Sequence, residues 1–191
     1  LEARERPDDP AYAPRAMDAA ALATLRAMTA RIVPQDDADP IDLGARIDTA
    51  LATSGGDGWR FDVLPPDADA YRAGTRTLQD AARRRYGRAF DALDAERQDD
   101  VLALVASGEV GADDGETAVT GRLGRAAMRA WFEDVRAESV KAYLGHPRTL
   151  ARIGYSGIAN GGDGEPKSGF ARIGIGERET WEPVARVDRA R

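Results

Sequence analysis

Residues of the types that carry chemistry are sparse in this 191-residue chain. It has one histidine, His146, set between Gly145 and Pro147. A histidine base needs an orienting carboxylate and a nucleophile close in space, and no G-x-S-x-G elbow is present. A single imidazole also falls short of a histidine-based zinc or iron site, which takes several ligands. His146 therefore reads as a helix-end cap. Asp36, Asp37 and Asp39 could offer oxygens to calcium, but the twelve-residue loop with its central Gly and terminal Glu is missing. Bracketed by Pro34 and Pro40, they read as a solvated turn. Asp99-Asp100 and Asp113-Asp114 are adjacent pairs. Helix neighbours diverge, so neither makes an acid/base dyad, and both read as solvent-exposed. Gly174-Ile175-Gly176 starts like a dinucleotide fingerprint, but Glu179 stands where the third Gly belongs, and too little chain follows for a βαβ unit. No catalytic, cofactor-binding or metal-ligating residue is assigned.

Composition narrows the classes further. The chain is 42% hydrophobic and 31% charged, ordinary for one globular domain with a real core. Its net charge of −6 argues against nucleic acid, which needs clustered cations. The densest basic run, Arg83-Arg84-Arg85, reads as a solvated helix C-terminus. The chain has no cysteine, which excludes disulfides, thiolate nucleophiles and iron–sulfur ligation. No stretch approaches the roughly 18 apolar residues of a membrane span.

Helical periodicity dominates the middle of the chain. Residues 1–17, with Pro7, Pro10 and Pro14, form an extended arm that buries little by itself. Asp18 caps a first helix with Leu22, Leu25, Thr29, Ile32 and Val33 on one face, and Pro34 stops it. Leu43, Ile47, Ala50 and Leu51 mark a second helix. Trp59 to Leu64 alternates apolar and polar residues, as a short strand would, before Pro65-Pro66 ends it. Asp67 caps a third helix, with Tyr71, Thr75, Leu78 and Ala82 inward and Gly87 at its end. Asp94 caps a fourth, carrying Val101, Leu102, Leu104 and Val105 and ending at Gly108. The longest helix runs from about Arg122 to Leu144 on a stripe of Leu123, Ala127, Trp131, Val135 and Ala142. The expected fold class is all-α: a compact bundle of about five helices over residues 18–153, with a Gly-rich irregular tail at 154–191.

That tail holds Tyr155, Ile158, Phe170, Ile173, Ile175 and Trp181 in a segment without helical period. Such a segment cannot make its own core. Either it packs back over the helices or it lies on a partner, where aromatics carry much of the binding energy. The two are not exclusive, and these six residues are the candidate partner-binding set.

The order of segments resembles a known family. Leu22 to Asp37 is similar to the opening helix and I-[IV]-P-x-D turn of gluconate 2-dehydrogenase subunit 3. Arg83 to Gln98 resembles its F-x-x-L-x-x-x-x-Q segment, here Phe90, Leu93 and Gln98. Trp131-Phe132-Glu133 through Tyr143-Leu144-Gly145-His146-Pro147 resembles its long helix and Y-x-[GS]-[HD]-P ending. Ile153-Gly154-Tyr155, Gly169-Phe170, Ile173-Gly174 and Thr180-Trp181-Glu182-Pro183 resemble its tail, with Gly161 to Ser168 as an extra polar insertion. The likeness spans residues 18–184, and the order of the motifs carries it.

The resemblance implies a non-catalytic small subunit, with no cofactor of its own and no catalytic residues to transfer. Its partner would be a large FAD-binding flavoprotein of the glucose–methanol–choline (GMC) type, oxidising sugars, glycosides or polyols. A cytochrome c subunit with haem c commonly takes the electrons. The small subunit supports folding of the flavoprotein and escorts it through the twin-arginine (Tat) route. The family's leader is absent from this sequence. The expected location is the periplasm, or the cytoplasm for a chain never exported. Two rival readings stand beside this one. A free-standing helical ligand-binding module would show a pocket lined by Trp131, Tyr143 and Tyr155. A hydrolase or isomerase using Asp/Glu pairs would turn over substrate as a purified single chain.

Overall fold

A computed structural model describes residues 11–36, 40–53, 60–112, 121–146, 148 and 149. The chain divides into two units: Pro10–Ala142, and Leu1–Asp9 with Tyr143–Arg191. Among the described residues there are five α-helices, a single 3₁₀ turn and no strand, so the architecture is all-α.

Helix α1 (Ala19–Ile32) starts where Asp18 accepts the Ala21 N–H at 2.8 Å, satisfying one orphan donor of the first turn. It ends at Val33, whose φ of −126° and ψ of 83° are non-helical, as expected ahead of Pro34. Leu22, Leu25, Met28, Thr24 and Thr29 are buried, while Ile32 and Val33 are half-buried. Helix α2 (Leu43–Thr53) begins behind Asp42, which accepts the Ala45 N–H at 3.0 Å and also pairs with Arg26 of α1 at 2.6 Å. The two helices cross closely at Gly44, where a Cβ would sit 2.7 Å from Arg26 Cγ. Leu43 and Ile47 face inward, but Ala50 is exposed. By spacing, position 50 lies on the same face as 43 and 47, so its exposure marks where the C-terminal end of α2 leaves cover, with residues 52 and 53 exposed beside it.

The strand expected at residues 59–64 is not formed in its described part. Residues 60–64 make a turn closed by Leu64 N–H to Phe61 O at 3.0 Å. With no neighbouring strand to pair with, alternation alone cannot satisfy an extended backbone. Helix α3 (Asp67–Tyr86) follows. Pro66, not Asp67, holds its cap position, and Asp67 is its first helical residue. Proline suits a helix start because its missing N–H would be an orphan there. Asp67 and Asp69 in the first turn and Arg83, Arg84 and Arg85 in the last both complement the helix dipole. Gly87 ends the helix at φ +68°, with its N–H on Arg83 O at 2.8 Å.

A 3₁₀ turn at Phe90–Ala92 leads to α4 (Ala95–Ala106), capped by Asp94 on the Arg97 N–H at 3.0 Å. Helix α5 (Arg125–Leu144) begins three residues later than periodicity predicts. Residues 122–124 are held extended instead: the Ala112 N–H donates to Leu123 O at 2.8 Å, and the Leu123 N–H to Thr77 Oγ1 at 3.0 Å. Leu123 is still buried, so it joins the core from outside the helix.

The core of the Pro10–Ala142 unit gathers Leu22, Leu25, Met28, Tyr71, Leu78, Phe90, Val101, Val105, Met128, Trp131 and Val135, all nearly inaccessible. Trp131 and Tyr71 meet edge-to-face at 6.1 Å.

Candidate functional site

The described surface of the Pro10–Ala142 unit has an open groove between the start of α1 and the outer face of α3, with a volume of about 130 Å³. Helical spacing puts Arg76, Asp80 and Arg83 on one face of α3. Asp18, Ala20, Ala21 and Thr24 form the opposite wall, and Arg122 enters from the segment before α5. The Arg122 Nε–H donates to Asp80 Oδ2 at 2.7 Å, and Arg83 lies 3.8 Å from the other Asp80 oxygen. Arg76 is exposed and makes no ion pair among the described residues; its Nη1 lies beside Gly121, 3.5 Å from where a Cβ would be.

A buried amide forms the floor. Gln79 Nε2–H₂ donates to Thr24 Oγ1 at 2.5 Å and to Asp91 Oδ1 at 2.6 Å, while its Oε1 accepts the Phe90 N–H at 3.0 Å. The Thr24 hydroxyl passes its own proton to Ala20 O at 2.9 Å. Gln98 completes the turn by donating to Phe90 O at 3.1 Å. The Gln79 amide is thus engaged at both ends, which ties α3 to α1 and to the turn at Phe90.

A second polar cluster lies on α2. Asp48 is fully buried and accepts four hydrogen bonds. They come from the Tyr12 hydroxyl at 2.6 Å and from the N–H groups of Arg15, Ala16 and Met17 at 2.7, 3.1 and 2.9 Å. Burial, then the carboxylate beside it, pushes the Tyr12 phenol above its ordinary value. Residues 12–17 of the arm are thereby anchored, with Met17 buried, a feature the sequence reading missed. An Asp inside a helix carries no local sign that it faces inward.

The residues singled out in the sequence fall as follows. His146 is buried; its Nδ1 accepts the Arg148 N–H at 3.1 Å and its own N–H reaches Tyr143 O at 3.2 Å. These bonds give it a capping role just after α5. Asp36 is exposed, while Asp37, Asp39, Asp113 and Asp114 lie outside the described residues. Asp99 and Asp100 diverge as helix neighbours must, but they are not simply solvated. Asp99 takes a two-point contact from Arg31 at 2.8 and 2.7 Å. Asp100 takes the Tyr86 hydroxyl at 2.6 Å and Arg85 at 2.5 Å. Those hydrogen bonds hold both carboxyls below their ordinary range, through Arg31 for Asp99 and through Tyr86 before Arg85 for Asp100. Of the aromatics that would line a ligand pocket, Trp131 is fully buried in the core and Tyr143 is half-buried. Tyr155, Ile158, Phe170, Ile173, Ile175 and Trp181 lie outside the described residues, as do Gly174, Gly176 and Glu179.

Among the described residues, no group of three or more His, Cys, Asp or Glu side chains could hold a metal ion, and no helix is long and apolar enough to cross a membrane. No curated protein and no solved structure matches the chain. A family model, gluconate 2-dehydrogenase subunit 3, matches residues 19–162, from the first residue of α1 to beyond the end of α5. With most of its length matched, the chain belongs to the gluconate 2-dehydrogenase subunit 3 family.

Proposed function

We propose that this chain is the non-catalytic small subunit of a complex in which a large FAD-dependent GMC-type dehydrogenase oxidises a sugar, glycoside or polyol. The family match over residues 19–162 carries this reading. The small subunit binds and stabilises the flavoprotein and accompanies it through the twin-arginine route to the periplasm, and a cytochrome c subunit takes the electrons. FAD resides on the large subunit. The tail residues Tyr155, Ile158, Phe170, Ile173, Ile175 and Trp181 contribute apolar docking surface. Stable obligate interfaces bury about 2,000 Å² or more, and aromatic anchors supply much of their energy. Binding only the native state raises stability by mass action.

Purification of the tagged chain from its source organism, with mass spectrometry and an absorption spectrum, tests the proposal. A co-purifying dehydrogenase with flavin absorbance, together with a higher melting temperature of the chain in the complex, is expected. A colourless chain without a dehydrogenase, from a lysate that keeps native complexes intact, would overturn it.

A further inference from the structure

We propose that the groove between α1 and α3 receives a carboxylate side chain from the dehydrogenase subunit, with Arg76 and Arg83 as its donors. The proposal rests on the small-subunit reading above and gives that partner a specific point of contact.

Charge is the first observation. The chain carries a net −6, so an acidic segment approaching most of its surface meets repulsion. The groove runs against that trend, with three arginines facing two aspartates. Those aspartates are already engaged. Asp18 caps the Ala21 N–H, and Asp80 takes Arg122 at 2.7 Å. Arg83 reaches Asp80 only at 3.8 Å, beyond hydrogen-bond distance, and Arg76 has no ion pair among the described residues. Two guanidinium groups on one face of one helix therefore keep most of their N–H donors for an incoming anion.

Room is the second observation. The groove volume of about 130 Å³ exceeds the roughly 30 Å³ that a water molecule occupies in the liquid, so a carboxylate fits with water beside it. Ala20, Ala21 and Thr24 keep the facing wall low. The Gln79 oxygen on the floor already accepts the Phe90 N–H. Arginine's planar fork suits a carboxylate in two-point contact.

The test uses the full chain and the dehydrogenase that co-purifies with it. Dissociation constants are measured at about 50 and about 300 mM NaCl for wild type, Arg76→Glu, Arg83→Gln and Arg129→Glu. Arg129 is exposed on α5 and does not line the groove. Arg76→Glu is expected to weaken binding about tenfold at low salt and to flatten the salt dependence. Arg83→Gln weakens binding less, and Arg129→Glu leaves it unchanged. Melting of the free chain checks that each variant folds. Wild-type binding with equal affinity and salt dependence for Arg76→Glu would overturn the groove as a docking point while leaving the small-subunit reading intact. Equal weakening by Arg129→Glu would reduce the effect to overall charge and overturn it too. Absence of any dehydrogenase partner for wild type would overturn both.

Discussion

The indole of Trp131 lies against the backbone of Gly74, so close that a Cβ at position 74 would sit 2.4 Å from both Cδ2 and Cε2. This contact sets the approach of α5 to α3, because the ring is rigid, fully buried and held edge-on by Tyr71. Gly74→Ala should therefore destabilise the chain despite the better helix propensity of Ala. Overpacking of this kind costs about 1–3 kcal/mol, and the propensity gain returns about 1 kcal/mol at most. A net loss of about 2 kcal/mol in urea unfolding is expected. Gly87→Ala makes the contrast. No atom lies within 4 Å of a Cβ there, and the cost of about 1 kcal/mol comes only from its φ of +68°. Equal losses at the two positions would mean that the ring does not set the spacing.

Asp48 makes the next prediction. It is the common acceptor for the Tyr12 hydroxyl and three successive backbone N–H groups, and it has no exposure. Asp48→Ala leaves those donors to find water and removes the anchor of residues 12–17. Hydrogen bonds to a charged group contribute about 1.5–3 kcal/mol each, but a freed segment re-solvates. A loss of about 3 kcal/mol is expected. The sharper readout is hydrogen exchange: Arg15, Ala16 and Met17 amides lose protection before the amides of α1 do. Retained protection at Met17 would mean that packing, not the carboxylate, holds the arm.

Much of this fold is legible in local patterns. Asp18, Gly87 and Asp94 announce helix ends because capping is decided by one or two residues and their immediate neighbours. Tyr71, Thr75, Leu78 and Ala82 share a helical stripe and are all buried. What stays hidden depends on partners far along the chain. Residues 122–124 read as helix, but Thr77 and Ala112 claim their backbone. Arg76, Asp80 and Arg83 share a face by spacing alone. That Arg122 joins them 42 residues on from Asp80 is a property of the tertiary fold. The adjacent aspartates at 99 and 100 look solvated because nothing local says that Arg31 and Tyr86 will meet them.

Tyr71 predicts a flank of the pH profile. Burial first, then Asp134, raises its phenol well above the ordinary 10.0. Its hydroxyl donates to Asp134 Oδ2 at 2.8 Å. A raised folded value means that the native state keeps a proton the unfolded chain gives up. This contribution is intact below about pH 10 and declines as pH climbs from there towards the folded value. Wild-type stability should fall in that alkaline range. Tyr71→Phe costs about 1 kcal/mol at neutral pH, since the half-buried Asp134 regains water, and shows a shallower alkaline decline. Some slope remains, because Tyr12 is shifted the same way. Parallel alkaline profiles for the two proteins would show that Tyr71 is not the group responsible.

Gln79 gives the most diagnostic substitution, because its amide is used at both ends. Its nitrogen serves Thr24 and Asp91, and its oxygen serves the Phe90 N–H. Gln79→Glu preserves shape and the acceptor for Phe90 but brings a second carboxylate to about the 2.6 Å now spanned by a hydrogen bond to Asp91. Two like charges at that distance cannot both stay ionised without a large cost, so one of them titrates upward. The variant should lose about 2–3 kcal/mol near neutral pH and recover much of it as pH falls towards about 5, where a shared proton restores a donor. Gln79→Leu leaves the Phe90 N–H unsatisfied at every pH, so its similar loss should not recover. Identical pH profiles for the Glu and Leu variants would mean that Asp91 turns away to solvent and that the amide donor is not what holds the 3₁₀ turn against α3.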